Sequence, residues 1–465
     1  MTSTLHSIRL IRIALLITAV TLIPSQPFLL SAQEAIARPA SAPLHLTLPA
    51  AVDMAIAHSH KLELARLSIR HSEEQKRIAE SHFYPVLQNQ SAVHHITELE
   101  GVIIPAGAFA HGASTGLIPS QALHIDQGAS TSYTSGTALE QPLTQYFKIH
   151  AGVQAADADL RMAKIQAGDA EHAIALQVHQ LYFNYLIEKL NQASAEDAVQ
   201  AATTTEEESR QAVQEGKLLT DAELTVRADL LDKRRAVLIS RLTLDDLTLQ
   251  LDDLLGLPLG AKLELDSESF GDRPTLPARE AAIEATSQKS PSVLTALESV
   301  AKAQAGVSAA RDAYIPNITG LARYSYQSGL PFFQHNFGTF GFSVNYDLFD
   351  GGAREANLRD ARIKLSMAQT QLAQTQNDVR IEISSAYDKV EQLEELVQVS
   401  QLTLEAREES YRIQTQRVKV NAELASGVAT AHAAVTTARR NLLSSQLSLY
   451  LAQASIQRQL GELPK

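Results

Sequence analysis

A long internal repeat constrains this chain more than any other feature. Leu143, Tyr182, Leu219 and Leu255-Gly256 recur as Leu348, Tyr387, Leu424 and Leu460-Gly461, each 205 positions on. More than a hundred residues therefore keep register without net insertion or deletion. Upstream the offset is 231: Tyr84-Pro85 matches Ile315-Pro316, and Ala50-Ala51-Val52-Asp53 matches Ala281-Ala282-Ile283-Glu284. The first half carries the 26 extra residues between Pro85 and Leu143, and an exposed loop tolerates such an insertion. A unit of about 200 residues is far longer than a solenoid repeat. It implies two similar halves, 38–256 and 279–465, joined by a linker at 257–278.

The first 37 residues read as a secretory signal. Arg9 and Arg12 precede an apolar run from Ile13 to Ile23, and Ala35-Ile36-Ala37 fits a cleavage site. The run is too short to span a bilayer. After it, nothing approaches the length of a transmembrane helix. A mature chain seated in a membrane must then do so as a closed β-barrel, the other structure that satisfies its own backbone in lipid. The chain has no cysteine, which excludes disulfides, thiolate metal sites and a cysteine nucleophile. A net charge of -12 argues against a nucleic-acid partner.

Most of the mature chain has helical periodicity. Val153, Ala156, Leu160, Ala163, Ala167, Ala170 and Ile174 alternate spacings of three and four, a coiled-coil seam. The seam recurs as Leu358, Ala361, Leu365, Ala368, Leu372, Thr375 and Val379. Long helices are expected at 151–214 and 353–420, with shorter ones at 49–83, 222–254, 279–313 and 425–459. The first long helix would reach about 96 Å at 1.5 Å per residue. Two short helices end to end match one long one, which suits an elongated body better than a compact enzyme.

Strands are expected between helices. Phe340, Phe342, Val344, Tyr346 and Leu348 alternate with Gly341, Ser343, Asn345 and Asp347, which makes one apolar, lipid-facing side. The partner strand, from Pro316, puts Ile318, Gly320, Ala322, Tyr324 and Tyr326 on one face. The apolar stripe distinguishes a membrane-seated strand from a strand of a soluble scaffold. Pro331, Phe332, Phe333 and Phe337 flank the turn. In the first half the strands fall at about 86–96 and 132–142, around a loop at 97–131. Four strands per chain cannot close a barrel; eight from two chains leave no pore, whereas twelve from three do.

These residues resemble the TolC family of outer-membrane efflux proteins. The matching pieces are Leu46-Thr47-Leu48, Phe83-Tyr84-Pro85, Tyr314-Ile315-Pro316, Tyr346-Asp347-Leu348-Phe349-Asp350-Gly351-Gly352, Leu254-Leu255-Gly256 and Gln459-Leu460-Gly461. The resemblance runs from about residue 44 to 463. It implies a mainly α fold with a small β part. Three chains would share a 12-stranded outer-membrane barrel that continues into a long periplasmic coiled-coil barrel. It implies a passive exit duct of a tripartite efflux or type I secretion system. The partners would be a periplasmic adaptor, an inner-membrane efflux pump or ABC transporter, and outer-membrane lipid. No cofactor, metal or enzymatic activity is implied. The alternative is a soluble periplasmic coiled-coil adaptor or scaffold.

The resemblance also places a gate and adaptor-docking end at the helix turns near Gly216 and Asn421. Glu215, Lys217, Asp221, Glu223, Arg412, Arg417 and Lys419 would supply its charges. The paired aspartates common in the family are not reproduced after Asn421, where Ala422-Glu423-Leu424 stands; the first repeat has Asp221 and Glu223 instead. Gln141-Pro142-Leu143-Thr144-Gln145 likewise replaces the Leu-Phe-Asp-Gly-Gly form. Gly351-Gly352 lacks the rest of a phosphate loop and reads as a turn. His58 and His60, two apart on a helix, point to different faces. His94, His95 and His111 lie in or near the loop.

Overall fold

The structure, a computed structural model, describes residues 44–98, 101–112, 116–125, 129–266, 275–329, 334–419 and 424–461. The signal segment, Pro331, Phe332, Phe333 and Asn421 lie outside the described residues. The fold is mainly helical with a small sheet. Helices α1 (Leu48–His58) and α2 (His60–Ser81) precede strand β2 (Val86–His95). Strand β7 (Thr131–Pro142) leads into α3 (Tyr146–Gln214) and α4 (Thr220–Leu255). Helices α5 (Arg279–Lys289) and α6 (Pro291–Asp312) precede β9 (Asn317–Ser328) and β10 (Asn336–Asn345). Helices α7 (Ala353–Lys419) and α8 (Ala425–Gln459) complete the chain.

The long helices α3 and α7 have 69 and 67 residues, so each reaches about 100 Å. The expected seams face inward. On α7, Leu358, Ala361, Leu365, Ala368, Leu372 and Thr375 are half-buried and Val379 is buried, among exposed neighbours. Alanines along both seams let the helix axes approach closely. Two expected helices are broken. The stretch 49–83 divides at Ser59, whose Oγ accepts from the Leu62 backbone N–H and caps α2. The stretch 279–313 divides at Ser290, because Pro291 has no N–H to continue the ladder and instead opens α6 at its first position.

Near the sheet the helices pack in the order α2, α3, α6, α7; toward the helix turns the order is α4, α3, α8, α7. Ion pairs fasten the first group. Lys76 of α2 reaches Asp157 of α3 at 2.7 Å, and Arg161 of α3 bonds both Asp157 and Glu298 of α6. The Lys76 ammonium, by its hydrogen bond, holds the Asp157 carboxyl below its ordinary range. Arg458 of α8 pairs with Asp169 of α3 at 3.0 Å and joins the two halves.

A four-stranded antiparallel sheet has the order β10-β9-β7-β2. Strand β10 begins and ends three residues before the expected 339–348, so Tyr346 and Leu348 lie beyond its last residue, Asn345. The cause lies at the start of α7. Asp350 accepts from the backbone N–H groups of Gly352 and Arg354, at 3.0 and 2.9 Å, and from Arg354 Nε at 3.0 Å. The Arg354 guanidinium also bonds the Asp347 carbonyl and lies over the Tyr346 ring, 4.5 Å from its centroid. Gly351 and Gly352 have φ of 68° and 86°, which side chains rarely adopt. The chain therefore turns out of the sheet although its apolar alternation runs on.

The expected loop at 97–131 contains two antiparallel ribbons. Strand β3 (Val102–Ile104) pairs with β6 (Leu123–Ile125), and β4 (Ala110–Gly112) with β5 (Gly116–Ile118). The connecting segment holds a second element absent from the sequence reading. Strand β1 (Leu44–Leu46) pairs in parallel with β8 (Leu263–Leu265). Beside it lies the largest apolar cluster, with Leu48, Ile174, Tyr182, Phe183, Leu251 and Leu255. Tyr182 donates to the carbonyl of Leu46 at 2.9 Å and of Asp266 at 2.8 Å. A smaller cluster on the other half gathers Ala282, Val293, Val379, Ile383 and Ile456.

Candidate membrane-facing sheet and helix-turn end

The strand register gathers the apolar residues of the second hairpin on one face. Phe340 lies opposite Ala322, Phe342 opposite Gly320 and Val344 opposite Ile318. Phe340, Phe342 and Val344 are 93%, 76% and 59% exposed. Leaving three large side chains in water forgoes several kcal/mol of burial, roughly 1.5–3 per side chain; a lipid environment removes that penalty. Across β9 the same face continues through Leu139 of β7 to Leu87 of β2. A ten-residue strand reaches about 34 Å, enough to cross an apolar band of about 25 Å when tilted. Leu348 is 92% exposed but belongs to the turn into α7, as does Tyr346.

Aromatic residues bracket this patch. At the helix end stand Phe83, Tyr146, Phe147, Tyr314, Tyr346 and Phe349. The Phe83 and Tyr146 ring centroids are 4.9 Å apart. At the other end Tyr133 packs on Tyr326, with centroids 5.8 Å apart, and Tyr324 bonds Asn336. Asn89, Ser91, Ser135 and Thr137 lie at that end of the same face and hydrogen-bond to one another. The two halves are tied at the sheet's base by Thr144. Its Oγ1 donates to the Pro316 carbonyl and accepts from the Ile318 N–H at 2.8 Å. This is the chemistry that Gln141-Pro142-Leu143-Thr144-Gln145 supplies in place of the Asp-Gly-Gly turn.

The helix turns lie a full helix length from the sheet. Gly216, with φ 66°, ends α3 in a Schellman turn. The Lys217 N–H bonds the Ala212 carbonyl at 2.8 Å, and the Gly216 N–H bonds that of Val213 at 3.0 Å. Lys217 pairs with Glu215 in the same turn at 2.6 Å, and Arg412 pairs with Glu409 of its own helix. Asp221 and Glu223 occupy the first turn of α4, and Arg417 and Lys419 the last turn of α7. Each sign complements its helix end. The expected charges thus cluster at one end, most of them exposed. Two further residues stand out there. Leu219 and Leu424, equivalent under the 205 offset, both precede their helices in extended conformation and are 76% and 65% exposed.

Sequence reasoning missed Glu208. Helix α8 has no side-chain cap of its own. Glu208 of α3 supplies one across 218 positions, accepting from the Ser426 N–H at 3.1 Å. Further along, Asp197 of α3 accepts from Thr436 at 2.6 Å and lies 3.5 Å from His432. No local spacing announces such contacts. Among the described residues no group of three or more His, Asp or Glu is placed to hold a metal, and no helix is long and apolar enough to cross a membrane.

The sheet with one exposed apolar face, carried on helices of about 100 Å, has the arrangement seen in solved outer-membrane channels. Known proteins agree. VceC, the outer membrane protein of Vibrio cholerae, superposes with a TM-score of 0.69 at 17% identity over 90% of this chain and 97% of that one. The CmeC outer membrane channel of Campylobacter jejuni does so with 0.71 at 15% identity, over 89% and 85%. At such identities the likeness is one of fold. In sequence, residues 282–462 match the family profile described as Outer membrane efflux protein. The outer membrane efflux protein BepC of Brucella suis biovar 1 is 27% identical over 158 residues; the match spans 34% of this chain and 35% of that relative. Residues 282–462 thus carry the match to the outer membrane efflux protein family, in line with the TolC-like family that the motifs resembled.

Proposed function

We propose that this chain is a subunit of a passive outer-membrane exit duct, with a β-barrel in the membrane and a helical tunnel in the periplasm. One observation carries the reading: every layer of the molecule ends at the same two edges. Strand β2 and helices α2 and α4 form one edge; strand β10 and helix α7 form the other. Both edge strands have ten residues and pair on one side only among the described residues. A long unpaired edge must be covered. Joining one edge to the other edge of a second copy is a heterologous contact, which closes into a ring. Three copies make twelve strands and twelve helical columns.

The helix surfaces at these edges support the reading. Leu224, Leu231, Leu238, Leu242 and Leu249 form an exposed stripe on α4, and Ile381, Leu396, Val399, Leu402 and Ile413 one on α7. Sevenfold spacing among the α4 leucines is that of a helix-helix seam. The internal two-fold repeat makes the intramolecular and intermolecular seams alike. The leader 1–37 directs export, and the two halves meet at the 257–278 segment.

The helix-turn end, with Glu215, Gly216, Lys217, Asp221, Glu223, Arg412, Arg417, Lys419 and Asn421, serves as the gate and the surface that meets a periplasmic adaptor. Leu219 and Leu424 give that surface apolar contact points. Energy and cargo choice come from an inner-membrane pump or ABC transporter. The test combines fractionation with planar-bilayer recording. The reading expects the protein in the outer membrane and stepwise conductance without ATP. Arg417→Ala or Asp221→Ala should raise conductance at unchanged oligomer yield. A protein recovered only as soluble periplasmic material overturns the duct in favour of an adaptor or scaffold.

A further inference from the structure

The sheet face opposite Phe340, Phe342 and Val344 is mostly polar, interrupted by Val86, Leu321 and Phe337. It carries Gln88 and Gln90 of β2, Thr134 of β7, Ser325 of β9, and Thr339 and Ser343 of β10. Among the described residues of the four strands only two formally charged side chains stand on it, Glu140 and Arg323. Arg323 lies in the row with Gln88, Ala138 and Thr339. Glu140 is one row nearer the helices, opposite Leu321 and Val86.

Arg323 has a prepared seat. A Cβ on Gly136 would lie 2.5 Å from its Nη2, 2.6 Å from Nε and 2.9 Å from Cζ. Gly136 is not among the glycines with positive φ, so its backbone does not require glycine. What glycine supplies is room for the guanidinium. Gly136 lies opposite Ser325, whereas Glu140 lies opposite Leu321. The arginine therefore leans away from Glu140, toward the end of the sheet remote from the helices. Among the described residues its guanidinium forms no ion pair or hydrogen bond.

We propose that Arg323 forms an anion site in the barrel lumen, which makes it a selectivity residue for anionic solutes. This rests on the channel reading above, in which the polar face lines the lumen. Three chains then place three guanidinium groups around one level of the pore. Each has five donors in a fixed fork and none engaged by a side chain among the described residues, the chemistry that takes carboxylates and phosphates. Rings of arginine set anion preference in other pores. The Glu140 ring lies on the helix side. Because Arg323 leans the other way, the two rings stand at different levels, at least one row apart, and rows of one face are about 7 Å apart. The field is positive toward the outside and negative toward the tunnel.

Planar-bilayer recording with inorganic tripolyphosphate added to the outer side tests this, because the probe reaches the barrel without crossing the helix-turn end. Wild-type current should be blocked in a voltage-dependent way. Arg323→Gln should weaken the block about tenfold or more and shift the reversal potential in a salt gradient toward cations. Gly136→Ala keeps the charge but displaces it, and should weaken the block by less. Glu140→Gln should leave the block intact or tighten it. A wild-type channel that conducts but is not blocked, or is blocked equally in Arg323→Gln, overturns the inference alone. Wild-type protein that never conducts overturns the channel reading, and this inference with it.

Discussion

Tyr182 and Tyr387, which lie 205 positions apart, each fasten a point of the 257–278 segment. Tyr182 donates its hydroxyl to the Asp266 carbonyl at 2.8 Å, and Tyr387 donates to the Pro277 carbonyl at 2.8 Å. The same side chain at the same place in each half thus holds a different part of one connector. Tyr182 also reaches the Leu46 carbonyl, which brings β1 and β8 into the clasp. Burial pushes the Tyr182 hydroxyl up to about 12, so it stays protonated and remains a donor.

Tyr182→Phe should therefore cost about 1–3 kcal/mol, because buried carbonyls lose a partner. Tyr387→Phe, at a more exposed hydroxyl, should cost about 0.5–1.5 kcal/mol. Thermal unfolding in detergent measures both. Equal costs would show that the clasp does not depend on burial.

His179 makes stability depend on pH. Its ring is fully buried between Phe183 and Tyr450, and neither ring nitrogen has a hydrogen-bond partner. Desolvation pushes its pKa from 6.5 down to about 4. The folded protein thus holds the imidazole neutral, while the unfolded chain takes up a proton below 6.5. The contribution is complete above that pH and is lost as pH falls toward 4. The full effect is on the order of 3 kcal/mol. His179→Leu should flatten the melting temperature between pH 6.5 and 4. A slope unchanged in the variant would assign the acid sensitivity to other groups.

The two faces of β10 should respond oppositely to charge. Val344→Arg places a cation on the apolar face proposed to meet lipid and should cost about 2–4 kcal/mol per chain near mid-bilayer, with loss of assembled protein. Ser343→Arg lies on the polar side and should assemble normally with reduced conductance. Heat-modifiable oligomer on gels and single-channel records separate the two. Equal assembly defects would contradict the face assignment.

Glu208 should protect the start of α8. Glu208→Ala removes the acceptor for the Ser426 N–H and should cost about 1 kcal/mol, as loss of an N-cap does. Amide exchange in the first turn of α8 should rise while that of α7 stays the same. Unchanged exchange would mean that the helix end is held by other groups.

Much of this was legible in the sequence, for identifiable reasons. The three-four spacing of Leu358 through Val379 required a stripe turned from solvent, and the stripe is half-buried as far as Thr375 and buried at Val379. Helix α8 covers Ala425–Gln459, a stretch of periodic apolar positions without proline. Pro291 was a visible break that periodicity on both sides concealed. Strands β1 and β8 have three residues each, too few for alternation to register. Tyr346 and Leu348 continued the strand pattern, yet Asp350 and Arg354 draw the chain away before them. Glu208 with Ser426, Thr144 with Pro316, and Arg323 over Gly136 are contacts between distant segments, which local spacing cannot encode.

Crosslinking between edge strands tests the central claim most directly, because the chain has no cysteine of its own. Gln90→Cys in β2 and Thr339→Cys in β10 place one thiol on each edge, both on the polar face. A flexible bismaleimide applied to outer-membrane fractions should convert the double variant into a ladder that stops at trimer, while either single variant stays uncrosslinked. A double variant that remains monomeric in those fractions, or a ladder that runs past trimer, would contradict a three-chain barrel closed through β2 and β10.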